Sequence, residues 1–170
     1  MPLRSGTVNV SAALVAPVVG SGSVIGGGPA GSTVSTIAAQ RGLEVKLYER
    51  EKFPRFHIGE SLLPMNLPIL ERLGVLERVA AIGVKKTGAD FPRQATADTE
   101  AGTHVFHFTR TLRPGFDHAF QVKRADFDQL LFDAAREAGV DARDGVRVAE
   151  VRFGADGRPT EAEAVLDDGA

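Results

Sequence analysis

An α/β fold built on a parallel sheet is what this sequence predicts, and three observations carry the prediction. Glycines spaced Gly26-x-Gly28-x-x-Gly31 stand between the apolar pair Val24-Ile25 and a helical run. A second short apolar segment, LEVKLY, follows that run and ends beside Glu49. A longer helical pattern from Arg124 to Ala138 then leads into a third apolar segment at Val140. Strands and helices in alternation imply parallel strands joined by right-handed crossovers.

The totals bound what such a chain can be. At 170 residues it can form one domain with its own core, and 43% hydrophobic with 25% charged residues is the balance of a soluble globular protein. No stretch approaches the ~20 apolar residues of a membrane span. A net charge of -2 with scattered Lys and Arg provides no basic field for nucleic acid. The absence of Cys excludes disulfides, thiolate metal sites and thiol catalysis. No His spacing suits a metal either, since His104 and His107 lie three apart in a segment that alternates like a strand. The apolar start VNVSAALVAPVV has only Arg4 as a positive flank, and cleavage near Gly20 would cut into the strand that follows, so a cytoplasmic chain is expected. Residues 1–17 are set aside as an N-terminal extension of uncertain role, and 18–170 form the expected domain.

In the glycine-rich unit each residue type has a task. Gly26 permits a tight turn, Gly28 lets backbone approach a diphosphate, and Gly31 lets the helix close on the strand. Pro29 and Ala30 open the helix, where the missing proline N–H costs nothing and the positive dipole end faces the phosphates. Val34, Ile37 and Ala38 are expected on its buried face, and Gly42 ends it. Glu49 falls 18 positions after Gly31, close to the ~20 expected of a carboxylate that accepts from a ribose. The plain alternative is a glycine-rich turn with no nucleotide. One feature resists: the residues before Val24 are the polar GSGS, where a buried first strand is expected.

The segment FPRFHIGESLLP, Phe53 to Pro64, comes next. Pro54 and Pro64 stiffen it, Gly59 allows a close backbone approach, and Glu60 and Ser61 can cap a helix or meet a polar cofactor edge. Phe53 and Phe56 are expected to pack on the sheet, and His57 to be an ordinary loop histidine. Together with the preceding Glu49-Arg50, and with LPILERLGVLERV, GVKKTGADF and FQVKRADFDQLLFDAAREAGV further on, this segment resembles the flavin-dependent halogenases and their FAD-dependent monooxygenase relatives over residues 24–168. The resemblance implies a Rossmann-like FAD-binding fold with a parallel sheet and a β-meander. It implies FAD held by Gly26, Gly28, Pro29, Ala30, Gly31, Glu49 and Arg50, with Gly59, Glu60 and Ser61 toward the flavin, Arg124 near the cofactor and Val148 at the adenine. It also implies halogenation of an electron-rich, aromatic small molecule with halide, dioxygen and reduced FAD from a separate flavin reductase, Lys86 delivering the hypohalous acid. On the residues alone, Lys85-Lys86 can equally be a solvated charge run, Arg124 an exposed helix start and Val148 a core residue.

The remainder reads as scaffold. NLPILERLG and VLERVAAIG are two short helices closed by Gly74 and Gly83. THVFHFT and AFQVK are strands on either side of a Pro114-Gly115 turn. In the Arg124 helix, Phe127, Leu130, Leu131, Ala134 and Ala138 share a face and Asp126 and Asp128 suit the first turn; Val140 to Ala142 return as a parallel strand. VRVAEVRF and TEAEAVL are strands joined by GADGRP, and Asp168-Gly169 is a turn signal with no strand after it. The fold is therefore expected to be incomplete at its C-terminus and this chain alone inactive. Two alternatives stand beside the halogenase: a related FAD-dependent monooxygenase or geranylgeranyl-reductase-type oxidoreductase, and a truncated remnant without catalysis.

Overall fold

A computed structural model describes residues 7–10, 20–95, 101–110 and 117–166. The chain divides into two compact units, Met1–His57 with Ala125–Ala170 and Ile58–Arg124. The LVAPVV run, the Pro114-Gly115 turn and Asp168-Gly169 lie outside the described residues.

In the first unit a parallel sheet has the order β2 (Ser21–Ile25), β3 (Glu44–Tyr48), β8 (Asp141–Arg143). Serine and glycine of the GSGS run are thus part of the first strand itself, which is short and only half covered. The central strand carries the core instead: Val45 and Leu47 pack with Phe132, Ala135, Val140 and Ala142, and Phe53 closes the cluster. Helix α1 (Pro29–Gln40) lies between β2 and β3 in the chain. Its buried face is Ser32, Ser35 and Thr36, while Val34 is exposed, contrary to the expectation for that position. The glycine turn brings the helix so close to the strand that a Cβ on Gly31 would stand 1.8 Å from the Gly26 carbonyl oxygen, and only small side chains fit beneath such a helix. Ser32 Oγ donates to the Gly27 carbonyl at 3.0 Å and Thr36 Oγ1 to the Ser32 carbonyl at 2.8 Å, which offsets the cost of burying those hydroxyls. The helix ends at Gly42, whose φ of 85° lets it and Leu43 donate back to Ala39 and Ala38.

Helix α4 (Arg124–Glu137) buries Phe127, Leu131 and Ala134 as its pattern predicts, along with Phe132, Ala135 and Asp128. Asp128 is therefore no solvated first-turn acid but a buried charge. A second, antiparallel sheet of the same unit has the order β1 (Thr7–Val10), β10 (Pro159–Leu166), β9 (Val146–Phe153), with a small core of Tyr48, Val146 and Ala164. Where a meander is expected, β9 and β10 form an antiparallel hairpin, and Thr7–Val10 of the N-terminal extension adds the third strand. Burial of the Tyr48 hydroxyl, followed by the nearby Asp141 charge, pushes its pKa up.

The second unit holds α2 (Leu67–Leu73) and α3 (Leu76–Ile82) around buried Leu70, Val75 and Val79, with two antiparallel pairs: β4 (Val84–Lys86) with β7 (Ala119–Gln121), and β5 (Gly88–Arg93) with β6 (Gly102–His107). THVFHFT and AFQVK thus each form a strand but pair with different partners. Gly83 sits where a Cβ would meet Val79, Phe120 and Val122 at 3.0–3.2 Å, so α3 can run straight into β4 against β7. Among the described residues no helix is long and apolar enough to cross a membrane.

Candidate cofactor site and lysine site

A cavity of about 430 Å³ in the first unit lies at the C-terminal ends of β2 and β3 and the start of α1, where open parallel sheets bind ligands. Its walls include Gly26, Gly28, Pro29, Ala30, Gly31, Glu49, Arg50 and Val148, eight of the residues expected to hold the cofactor. Gly26 has φ 101° and open space where a Cβ would stand, so it both needs and exploits being glycine. Gly28 caps α1 without a side-chain hydrogen bond, and no acid occupies the first turn. The first N–H groups of the helix are left for an outside acceptor.

Glu49 is buried and its carboxylate is already engaged. Oε2 accepts from the Gly27 N–H at 2.7 Å and from Arg55 Nη2 at 3.3 Å, and Oε1 accepts from the Glu51 N–H at 3.0 Å. Arg55 is only 7% exposed. Its Nη1 lies 3.5 Å from Asp128, which is 0% exposed, and its guanidinium sits over the Phe53 ring at 5.0 Å. Arg55 was not singled out from the sequence, yet it joins two buried carboxylates at the cavity wall. The signal that could have found it is a two-residue period. Phe53, Arg55 and His57 are turned inward while Pro54 and Phe56 are exposed, as in any extended segment. The same period corrects the expectation for Phe56, which is 82% exposed: three residues from Phe53, it falls on the opposite face. Asp144 fixes the segment by accepting from the Phe53 N–H at 3.1 Å and from Arg136 at 2.8 Å. Partial burial by itself raises the Asp144 pKa, but these donors outweigh it and hold the carboxyl below its usual range.

Gly59, Glu60, Ser61, Lys86 and Arg124 belong to the second unit. Arg124 Nη1 donates to the Ile58 carbonyl at 2.7 Å, steadying the turn at Gly59, whose φ is 101°. Residues 60–62 run antiparallel to β7: Val122 N–H donates to Glu60, Leu62 N–H donates to Phe120, and Ser61 bridges to Gln121. On the other side of β7, Lys86 pairs with Ala119, Lys85 with Phe120 and Val84 with Gln121. Paired residues share a face and neighbours alternate, so Lys86 falls with Ala119, Gln121 and Ser61, and Lys85 falls with Phe120 on the reverse. Lys86 Nζ donates to Ser61 Oγ and stands 5.7 Å from the Phe108 ring centre. Partial burial lowers its pKa below that of a free lysine.

The model of the FAD binding domain family matches residues 21–169. The chain belongs to that family. As an FAD-binding domain it takes FAD as its cofactor, and the cavity fits the group. Helix N–H donors, an open glycine turn and a buried guanidinium whose Nε has no hydrogen-bond acceptor among the described residues suit phosphate oxygens. The domain is 41% identical over 131 residues to a tryptophan 2-halogenase of Chondromyces crocatus, covering 76% of this chain and 23% of that one. It is 34% identical over 143 residues to a 1H-pyrrole-2-carbonyl-[peptidyl-carrier protein] chlorinase of Pseudomonas fluorescens, covering 76% and 32%. Among solved structures, the myxobacterial chondrochloren halogenase superposes with a TM-score of 0.75 at 36% identity, covering 87% of this domain and 33% of that protein. A flavoprotein/dehydrogenase of Cytophaga hutchinsonii superposes with a TM-score of 0.70 at 35% identity, covering 83% and 36%. The domain thus spans about a quarter to a third of the length of these relatives.

Proposed function

We propose that this FAD-binding domain serves a flavin-dependent halogenase that modifies an electron-rich, aromatic small molecule, with Lys86 as the catalytic amine. The observation that carries the reading is the placement of that amine: one lysine of an adjacent pair is drawn onto an aromatic ring and a hydroxyl, while Lys85 is turned to the other face. A solvated charge run would leave both in water.

The residues of the first unit divide the work of binding. The opening of α1 and the backbone at Gly26 and Gly28 receive the diphosphate. A carboxylate has about four acceptor positions, and three at Glu49 are taken within the chain; the fourth accepts a ribose hydroxyl. Val148 lines the cavity wall against the adenine. When bound and reduced by a separate flavin reductase, FAD supplies the electrons with which dioxygen turns halide into an electrophile. Lys86 then holds that electrophile: its ammonium donates to an oxygen of hypohalous acid, and its lowered pKa keeps a larger share of free amine than an ordinary lysine has.

In the full-length protein, Lys86→Ala is expected to abolish halogenated product while the yellow FAD chromophore stays bound. Retained halogenation in that variant overturns the assignment. A second reading, an FAD-dependent oxidoreductase without halide chemistry, draws support from the likeness to the Cytophaga flavoprotein/dehydrogenase. Product formation that does not depend on halide favours it.

A further inference from the structure

The resemblance implies that Ser61 lies toward the flavin and that Lys86 is the catalytic amine, and it draws no link between them. Their geometry ties them together. Ser61 and Lys86 stand on opposite flanks of β7, Ser61 bridged to Gln121 and Lys86 paired with Ala119, on one face of a three-strand arrangement. Adjacent strands lie about 4.8 Å apart, so the two side chains are separated by the full width of β7. The lysine must lie across that strand to reach the serine. The residue it crosses is Ala119, fully buried and the smallest side chain that still belongs to a strand face. The amine then meets Ser61 Oγ, with Phe108 packed near it.

We infer that Ser61 is the positioning residue for Lys86, its hydroxyl anchoring the amine across the face of β7, where the small Ala119 side chain leaves room for the lysine stem. A lysine side chain has four rotatable bonds and loses about 2 kcal/mol of rotamer freedom when fixed, so a long amine on an open sheet face does not hold one direction unaided. The hydroxyl supplies the missing constraint. Its own position is set by backbone: the Glu60 carbonyl accepts from Val122, just past β7, the Leu62 N–H donates to Phe120 within it, and Ser61 between them has little freedom to move. The catalytic amine and the GES turn therefore form one mechanical piece within the second unit. Gln121 shares the same face but is not the amine's hydrogen-bond partner.

This inference rests on the reading of Lys86 as the catalytic amine, and the test separates the two. In the full-length protein, acetic anhydride labelling followed by site-resolved mass spectrometry gives the ratio of Lys86 to Lys85 acetylation, with Lys85 as an internal reference on the opposite face. Ser61→Ala is expected to raise that ratio several-fold because the amine is released. Ser61→Thr, which keeps the hydroxyl, is expected to restore it, and Ala119→Leu to raise it again with Ser61 intact. For turnover, misdirecting the amine in Ser61→Ala is expected to lower kcat for halogenation roughly ten- to a hundredfold with little change in KM for the aromatic substrate, and Ser61→Thr to recover most of it. A ratio that does not move in Ser61→Ala, or that fails to return in Ser61→Thr, overturns the positioning role even if Lys86→Ala is inactive. Should Lys86→Ala keep its activity while the labelling ratio responds as described, the hydrogen bond stands and the catalytic reading falls.

Discussion

The cofactor cavity and the lysine face are built by opposite means. Around the cavity the decisive groups are buried and locked by close approach: a glycine under a carbonyl oxygen, two hydroxyl-bearing residues beneath a helix, and one guanidinium between two carboxylates. On the lysine face the decisive groups lie near the surface, and strand register puts them there: Lys86 opposite Ala119, Ser61 opposite Gln121. The first design fails when atoms are added or charges removed. The second tolerates most neighbours and fails when a residue slips to the other face or the one hydroxyl is lost.

Four substitutions sharpen that contrast. The largest effect is expected from Gly31→Val. Its Cβ has no place to go, because the atom it meets is backbone rather than a flexible side chain. The overpacking exceeds the usual ~1–3 kcal/mol, and purified protein is expected to carry no FAD absorbance. Arg55→Met comes next. It leaves Glu49 and Asp128 buried without their shared cation, at a cost of about 3–5 kcal/mol in denaturant unfolding. Adding Asp128→Asn is expected to recover part of that loss, and no recovery would mean that the charges are not what Arg55 serves.

Asp144→Asn is milder, about 1 kcal/mol for weakening the anchor of Phe53 and Arg136. Its pH dependence has a definite sign. The folded pKa is lowered, so the stabilisation is fully present above the unfolded carboxyl value near ~3.9 and fades as pH falls through the folded value. The melting difference between wild type and Asp144→Asn should therefore be constant from neutral pH down to about 5 and close in more acidic buffer. A difference that widens in acid contradicts the assignment. Smallest of all is Lys85→Ala, expected within about 0.5 kcal/mol of wild type and with halogenation unchanged, in contrast to its neighbour at 86. If Lys85→Ala and Lys86→Ala lose activity alike, the register argument for choosing between them is wrong.

What could be read in the sequence follows the range of the interactions. The glycine turn, α1, β3 and Glu49 are local, and their spacing puts Gly26, Gly28, Gly31 and Glu49 on one cavity wall, whereas Val148 reaches it only through the family resemblance. On α1, Ala38 packs on the core as its pattern predicts, but Val34 does not, because close helix approach selects small residues, Ser32, Ser35 and Thr36. Phe56 was misplaced for want of the extended period that its own neighbours obey. Asp128 and Arg55 are partners across 73 positions of sequence, a pairing no local pattern announces. Likewise, the choice between Lys85 and Lys86 is invisible until β4 is aligned on β7, since adjacent residues of one type differ only in the face they occupy.

The first unit is discontinuous: strand β3 finds its neighbour β8 only after the chain has traced the whole of Ile58–Arg124. During synthesis the early strands must wait for a late one, a non-local closure of the kind that slows folding. Yet lengthening an intervening loop is cheap, about 0.6 kcal/mol per doubling. The intervening segment can therefore grow at small entropic cost while β3 and β8 still pair on either side of it in the sequence.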